Sequence, residues 1–509
     1  MIRRREFVLG LGMAASMAGS GLAAPRSGLV VGTRSGLVRG RLADGVRVFT
    51  GIPYAEPPIG PLRFKAPRPA LSWQGELDAA RPAATPPQNA DPALPPVAPI
   101  SEDCLQINVW APQEQGPFPV FVWIYGGGNV TGASSQPVYQ GENFARDGVV
   151  CVSFNYRVGV CGFLELGGVT GLGDAGSGNN AIRDQVLALR WVRENIAAFG
   201  GDPRNVTIGG QSAGAWNCST LMALPAAKGL FHQAIIASGG ADTAYKLDRA
   251  TDFAELFVDR LGGTERLLTA SVTEILKAQG VAQSEFPDQL PFRPVVDGTF
   301  LPAAPIDLIR AGGARNIRTM IGHTQDEYRT FLSPAQATAP IAQKMLLHLD
   351  IKELPAVVNA YSTAYPNLTA GDRMLRILGA EVLGMPTLRT AEAQAAAGAA
   401  VYYYDLRYSI PSGPFGPYSP HGIDVPLIFE HVDTAFARGV FGYSAADLRM
   451  AQLVHAAWVS FIKSGTIDEG LPGWPPYDLG QRKAMTIDRE PMVSADAEKA
   501  ERLIWANVK

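Results

Sequence analysis

The chain alternates between short, wholly apolar runs and longer segments whose apolar residues recur at helical spacing. Residues 120–125 and 206–209 are runs without polar alternation, which is typical of strands buried on both faces of a sheet. Between them, a helix that stops at the glycine pair 200–201 is predicted by four apolar positions, Val186, Leu189, Val192 and Ile196. This order predicts an α/β fold with a mostly parallel central sheet flanked by helices.

Two long stretches depart from this order, at 240–318 and 333–400. Both are rich in alanine, leucine and charged residues at helical spacing. We therefore predict large helical insertions that cover the sheet and shape a pocket. A third stretch, 81–99, is dense in proline and is predicted to be an extended surface loop.

A sharp turn is predicted directly after the second apolar run, at residues 210–214, Gly-Gln-Ser-Ala-Gly. Small residues two positions before and after Ser212 suit a strained strand-to-helix turn that exposes a nucleophile. Ala213 then opens a helix, so its N–H is an unpaired donor that points where an oxyanion would form. The pentapeptide alone fits an ordinary turn equally well, and its context favours the nucleophile.

A glycine triplet, residues 126–128, follows the first apolar run. Successive N–H groups of such a loop can approach a carbonyl oxygen because no Cβ stands in the way. Removing one such donor typically costs on the order of 3 kcal/mol of barrier. The triplet predicts the second half of an oxyanion hole, and a flexible turn is the alternative.

A serine nucleophile needs a base and an acid that orients the base, in the chain order serine, acid, histidine. Four of the six histidines come late enough in the chain to be the base, namely His348, His421, His431 and His455. His421 is favoured because it follows a Pro/Gly-rich segment and so lies on a loop, whereas His348 and His455 lie in helical patterns.

The acid is less well determined by the residues alone. The apolar run 319–322 predicts a short buried strand, and the turn after it carries Asp326 and Glu327. Catalytic groups collect at the carboxyl ends of strands in open α/β sheets. Asp326 and Asp297 are competing acids at this point.

These features lie within a longer series of segments that resembles the type-B carboxylesterases of the α/β-hydrolase fold, a family that includes the cholinesterases. The resemblance rests on ordered matches over nearly the whole chain, at residues 49–55, 101–109, 155–159, 162–164, 184–185, 195–203 and 210–214. It implies Ser212 as nucleophile, Glu327 as acid and His421 as base. It also implies the N–H groups of Gly127, Gly128 and Ala213 as oxyanion donors, and it favours Glu327 over Asp326.

Three positions depart from the family pattern. Gln211 stands where the residue before the nucleophile is usually Glu, and Asn129 stands where Phe commonly follows the glycine triplet. We expect both to contact substrate, and loss of the carboxylate weakens attraction for cationic substrates. Cys104 has no cysteine upstream in the chain with which to form the bridge that many family members contain.

The composition excludes several classes of partner. The net charge is −3 and 47% of residues are hydrophobic, without a basic patch for nucleic acid. The other cysteines, Cys151, Cys161 and Cys218, lie in apolar or glycine-rich segments and are expected to be small buried side chains rather than metal ligands.

Residues 1–24 look like a twin-arginine export signal, with arginines at positions 3–5 before a mildly apolar run rich in alanine and glycine. We expect a periplasmic or secreted protein without a stable membrane anchor, since this run is a poor spanning helix. Residues 25–509 are expected to form a single domain, because Ser212, Glu327 and His421 must converge.

The sequence predicts a serine carboxylic-ester hydrolase that acts through an acyl-enzyme on a small to medium uncharged ester. No cofactor and no metal are expected, and the partner is a small-molecule ester. One alternative keeps the triad but cleaves an amide, carbamate or lactam. Another is a neuroligin-like binding protein, which the complete triad disfavours.

Overall fold

A computed structural model describes residues 29–89, 95–169, 175–288, 290–471 and 473–506. The predicted export signal, residues 1–24, lies outside the described residues. Within the described part, no helix is both long and apolar enough to cross a membrane.

The described strands are short, and most belong to one sheet. They are β1 Val30–Gly32, β2 Leu37–Arg39, β3 Arg41–Ala43, β4 Val46–Pro53, β5 Glu76–Asp78, β6 Gln106–Pro112, β7 Phe118–Ile124, β8 Val150–Phe154, β9 Gly201–Gln211, β10 Gln233–Ala237, β11 Tyr245–Lys246, β12 Val295–Val296, β13 Arg318–Thr324, β14 Val401–Leu406, β15 Lys483–Ile487 and β16 Met492–Ala495.

The described α-helices lie mainly between these strands. They are α1 Glu142–Arg146, α2 Val160–Phe163, α3 Asn180–Asn195, α4 Ala213–Ala223, α5 Leu247–Leu261, α6 Arg266–Thr269, α7 Val272–Glu285, α8 Pro305–Arg310, α9 Ala339–Met345, α10 Leu354–Ala364, α11 Ala370–Gly379, α12 Met385–Ala396, α13 Asp424–Ile428, α14 Leu448–Ser464 and α15 Lys499–Ala506.

The central sheet has eleven described strands in the order β16-β15-β14-β13-β10-β9-β7-β8-β6-β4-β3. Neighbouring strands from β8 to β15 run parallel, and the pairs at both edges are antiparallel. In the centre, Val122 of β7 is in register with Ile208 of β9, and all residues of β10 are buried. The predicted α/β fold with a mostly parallel sheet is confirmed.

The helical insertions are also confirmed. Helices α5 to α8 fall within the first predicted stretch and α9 to α12 within the second. The predicted helix before β9 is α3, which ends at Asn195. A 3₁₀ turn, Ile196–Phe199, continues it and ends at Gly200, whose backbone is left-handed at φ 91°.

The proline-rich stretch is less exposed than expected. Its described parts, 81–89 and 95–99, contain no helix or strand, but Gln88 is buried. The Gln88 side chain accepts from the N–H of Gly132 at 2.9 Å and donates to its carbonyl at 2.8 Å. This pair of bonds pulls the segment inward against the loop that follows β7.

The four cysteines are buried and free. The prediction of small buried side chains is confirmed. Burial raises the pKa of the Cys104, Cys151 and Cys218 thiols, which disfavours their thiolates.

The turn between β9 and α4 packs directly on the end of β7. A Cβ added at Gly214 would lie 2.0 Å from the carbonyl oxygen of Ile124, and one at Gly210 would lie 2.5 Å from the backbone of Gly214. Side chains at either position would therefore separate β7 from the turn.

We expect Gly214→Ala to lower the free energy of unfolding by at least about 3 kcal/mol, because its methyl group meets backbone atoms that cannot yield. The measurement is a urea unfolding curve. Gly439→Ala is the matched control, since a Cβ at Gly439 meets nothing within 4 Å. Equal unfolding midpoints for the two variants would contradict the close packing of the turn.

Candidate active site

Ser212 occupies the strained turn between β9 and α4. Its backbone has φ 59° and ψ −128°, values that few residues other than glycine adopt. The Ser212 N–H donates to the carbonyl of Ala237 at 2.9 Å, and its own carbonyl accepts from Ala215 and Trp216. These bonds fix the turn, while the Ser212 side chain remains partly exposed beside a cavity.

The loop after β7 approaches this turn because it consists of glycine. A Cβ at Gly126 would lie 2.9 Å from the Ser212 Cβ, and one at Gly127 would lie 2.4 Å from the carbonyl oxygen of Thr131. Among the described backbone bonds outside regular elements, none uses the N–H of Gly127, Gly128 or Ala213. These three N–H groups therefore have no backbone partner among the described bonds, and Gly126 of the same loop lies against Ser212.

Glu327 follows β13 and is 1% exposed. Its Oε1 accepts from the N–H of Thr324 at 2.9 Å, and its Oε2 accepts from Nδ1 of His421. The two segments are joined again by the Thr330 hydroxyl, which donates to the carbonyl of His421 at 3.0 Å. The acid and the histidine, far apart in sequence, thus form one buried hydrogen-bonded pair.

The environment favours the ionised form of Glu327. Burial by itself raises the pKa of this carboxyl, but the charge and hydrogen bond of His421, together with His323, outweigh burial and hold that pKa below its ordinary value. An ionised carboxylate on Nδ1 leaves the lone pair of a neutral His421 ring on Nε2, which is where a base accepts a proton.

The competing acids have other partners. Asp326 Oδ2 accepts from the N–H of Ser419 at 3.0 Å, and Asp297 bonds the N–H groups of Thr299 and Leu301. Both carboxylates therefore stabilise loops and do not contact His421 in the described hydrogen bonds.

The other candidate histidines also have structural contacts. His455 Nδ1 donates to the carbonyl of Ile428 at 2.7 Å and is buried in α14. His431 Nδ1 lies 3.3 Å from the carbonyl of Val138. His348 belongs to a segment whose backbone N–H groups bind Glu381.

Gln211 contacts the histidine directly. Its Nε2 lies 3.0 Å from Nε2 of His421, and its side chain lines the cavity. An amide N–H donates, so this bond uses the lone pair that Ser212 would otherwise approach. Contact between Gln211 and substrate stays a prediction.

Asn129 lies elsewhere than expected for a substrate contact. It is fully buried, and its Nδ2 donates to the carbonyl of Phe292 at 3.1 Å while its Oδ1 accepts from Asn217 at 3.0 Å. The side chain therefore points away from the cavity lining and joins the glycine loop to the interior. Its direction follows from a left-handed backbone at φ 59°, which the sequence does not reveal.

The cavity beside Ser212 has a volume of about 450 Å³. Most lining side chains are apolar or aromatic, and none is Asp, Glu, Lys or Arg among the described residues. One group comes from the helical insertions and the turn after β13, and includes Leu290, Tyr328, Met345, Val382 and Leu383. Another follows His421 and includes Val425, Phe436, Val440 and Phe441, and Trp216 is contributed by α4.

Sequence reasoning missed two ionisable groups behind the site. Asp424, three residues after His421, is fully buried, and burial followed by the charge of Glu327 raises its pKa to about 7. His323, on β13, pairs with Glu498 near the C-terminus. The sequence shows a histidine four residues before the predicted acid, but it gives no sign of the distant partner Glu498.

A model of the carboxylesterase family matches residues 27–505 of the chain. This chain belongs to the carboxylesterase family. The resemblance seen in the sequence is confirmed.

Individual relatives of this carboxylesterase are similar over almost their whole lengths. The para-nitrobenzyl esterase of Bacillus subtilis is 35% identical over 493 residues, which cover 93% of this chain and 97% of the relative. The phenmedipham hydrolase of Pseudarthrobacter oxydans is 32% identical, with coverage of 90% and 94%. A solved carboxylesterase structure from Geobacillus stearothermophilus is 37% identical, with a TM-score of 0.81 and coverage of 94% and 99%.

These similarities confirm the α/β-hydrolase fold and the activity class. The protein is a carboxylic-ester hydrolase of the serine type.

We expect Asn129→Ala to lower the free energy of unfolding by about 2 kcal/mol, because Asn217 and the Phe292 carbonyl lose a buried partner. The KM for a small ester should change by no more than about threefold, since this side chain does not line the cavity. Unfolding curves and steady-state kinetics check both. A raised KM with unchanged stability would return Asn129 to the role of a substrate contact.

Proposed function

We propose that Ser212, His421 and Glu327 form the catalytic triad of this esterase, with the N–H groups of Gly127, Gly128 and Ala213 as the oxyanion hole. The observation that carries the proposal is the buried bond between Glu327 Oε2 and His421 Nδ1, beside the strained turn of Ser212. The six residues come from four segments of the chain: the loop after β7, the turn that leads into α4, the turn after β13 and the loop at His421. Of these residues, Gly127, Gly128, Ser212 and His421 line the same cavity, which supports the proposal.

In the proposed reaction, the Ser212 oxygen attacks the acyl carbon while His421 Nε2 accepts its proton. For this step, the hydrogen bond from the Gln211 amide to His421 Nε2 breaks, and the Ser212 hydroxyl donates to that nitrogen instead. The three N–H groups stabilise the oxyanion, and the His421 imidazolium then protonates the leaving alcohol. Water, deprotonated by the same nitrogen, releases the acid, and Glu327 orients and stabilises the imidazolium throughout.

The proposed substrate is a small to medium uncharged ester. A cavity of about 450 Å³ with mostly apolar walls desolvates acyl and alcohol groups at little cost, whereas a charged group would lose hydration without finding a counter-ion. The amide of Gln211 in place of a carboxylate supports the same preference.

The proposal is tested by two variants with matched controls. We expect Ser212→Ala to lower kcat on p-nitrophenyl esters by about four decades or more, and Glu327→Gln by about three to four decades, with the fold retained. The control for Ser212→Ala is Ser219→Ala, which removes a buried hydroxyl from α4, the helix that follows Ser212. The control for Glu327→Gln is Asp326→Asn, which neutralises the adjacent carboxylate. Both controls should retain activity within about threefold.

In the same measurements the acyl chain of the p-nitrophenyl ester is varied from acetate to decanoate. The dependence of activity on chain length then shows how long an acyl group the pocket accepts. Activity that survives Ser212→Ala would contradict the triad. Activity lost in Asp326→Asn but not in Glu327→Gln would identify Asp326, and not Glu327, as the acid of the triad. An aryl amide and an aryl carbamate complete the panel, because the same triad could cleave those bonds, and turnover of either would extend the substrate class.

We further expect Gln211→Glu to improve kcat/KM for a choline ester about tenfold relative to its uncharged 3,3-dimethylbutyl analogue, because a carboxylate at the cavity attracts the cation. The two esters have the same shape and differ in charge, so the ratio isolates the electrostatic effect. A ratio unchanged from that of the parent protein would exclude Gln211 as the determinant of charge preference.

A further inference from the structure

His323 is a buried histidine that the proposed reaction does not use. It lies on β13, and its side chain is 6% exposed. Its Nδ1 is 2.8 Å from the carbonyl oxygen of Thr324, and its Nε2 is 2.9 Å from Oε1 of Glu498. A carbonyl and a carboxylate only accept hydrogen bonds, so both ring nitrogens carry protons. His323 is therefore an imidazolium.

The ring has little freedom to leave this position. A Cβ at Gly384 would lie 3.2 Å from His323 Cε1, so the imidazole fills the space up to the backbone of the segment before α12. The ring of Tyr403 packs edge-on against it at 6.4 Å. Packing thus fixes the direction of both N–H groups.

Several ionisable groups surround His323. They are Tyr403 and Asp405 of β14, Glu327 after β13, and Glu498 and Glu501 of the C-terminal segment. Asp405 pairs with Arg407 at 2.6 Å, and Glu501 pairs with an arginine of α11 at 2.5 Å. Two of these carboxylates therefore have cations of their own.

Glu498 is different, because its described partners are His323 and the Tyr403 hydroxyl at 2.7 Å. Burial by itself lowers the pKa of His323, but Glu498, Asp405 and Glu327 outweigh burial and raise that pKa to about 10. The stabilisation from this raised pKa is complete below the ordinary value near 6.5 and is lost as the pH rises through about 10. The ring is therefore charged at neutral pH.

A continuous series of bonds connects this pair to the triad. The Thr324 carbonyl accepts from His323, and the Thr324 N–H donates to Oε1 of Glu327 at 2.9 Å. The other oxygen of Glu327 accepts from His421. A cation behind Glu327 also lowers the energy of its ionised form.

We propose that His323 and Glu498 are positioning residues of this esterase. The imidazolium, held by Glu498, fixes Thr324 against Glu327 and keeps that carboxylate ionised and aimed at His421. The inference rests on the proposed triad, and it makes the C-terminal segment, which carries Glu498, part of the active-site framework.

The test is the pH profile of kcat/KM for a p-nitrophenyl ester in His323→Gln, Glu498→Gln and the double variant. We expect about a tenfold loss of kcat in His323→Gln with unchanged KM. The acidic limb of the kcat/KM profile should move to higher pH by about half a unit, because removing a nearby cation favours the protonated form of His421. Asp424 also faces His421, but it is the same in every variant.

Glu498→Gln should shift the limb in the same direction, because His323 loses the carboxylate that keeps it charged. The double variant should be no worse than the poorer single variant, since both act through one ion pair. Glu498→Gln keeps the shape of the side chain, so it supplies the test if His323→Gln does not fold.

Two controls separate this role from simple stabilisation. His232→Gln removes a histidine whose Nδ1 accepts from the N–H of Val206, and Arg502→Gln breaks a C-terminal ion pair with Asp496. Neither should shift the limb. Unshifted limbs in the His323 and Glu498 variants, or additive losses in the double variant, would overturn the inference. Activity retained in Ser212→Ala would instead overturn the proposed triad.

Discussion

The contact between the end of β7 and the turn at Ser212 constrains the whole site. The backbones of the two segments are in direct contact there. Gly210 and Gly214 permit this contact because a Cβ atom at either position would overlap backbone atoms. The contact brings the glycine loop against Ser212, and the N–H groups of Gly127 and Gly128 have no partner among the described backbone bonds. One steric condition therefore sets the geometry of both the proposed nucleophile and the proposed oxyanion donors.

The second constraint is electrostatic, because a carboxylate without water needs cations and donors close by. Glu327 receives hydrogen bonds from His421 and the Thr324 backbone, and His323 supplies a further positive charge behind it. Hydrogen bonds connect the charged groups Glu498, His323 and Glu327 in turn, and the last of them bonds His421 at the cavity. We infer that this series holds Glu327 in position, since packing fixes the His323 ring at its far end.

The cavity has the opposite character, with apolar walls and a neutral amide in place of a carboxylate. Gln211 bonds Nε2 of His421 without adding charge. This combination separates two parts of the site: Glu327, which bonds the proposed base His421, is not among the cavity-lining residues, and the described lining contains no Asp, Glu, Lys or Arg. An uncharged ester is the substrate that loses least on entering such a space.

The sequence alone predicts the main secondary-structure elements and the turn that carries Ser212. Apolar runs gave β7, β9 and β13, helical spacing gave α3 and the insertions, and the spacing of glycine around Ser212 and at 126–128 indicated a turn and a donor loop. These features depend on neighbours within a few residues, so the pattern contains the information. The choice of Glu327 over Asp326 came from family resemblance, because two adjacent carboxylates look alike until the turn directs them.

The tertiary structure alone decided where side chains point and which distant groups meet. Asn129 looked like a pocket residue by its place beside the glycine loop, yet its left-handed backbone turns the amide to Phe292 and Asn217. Glu498 and His323 are 175 positions apart, and no pattern in either segment indicates the other. The sequence determined the elements and the reactive turn because those follow from local sterics and hydrophobic spacing; packing decided the ion pairs because they depend on contacts between remote parts of the chain.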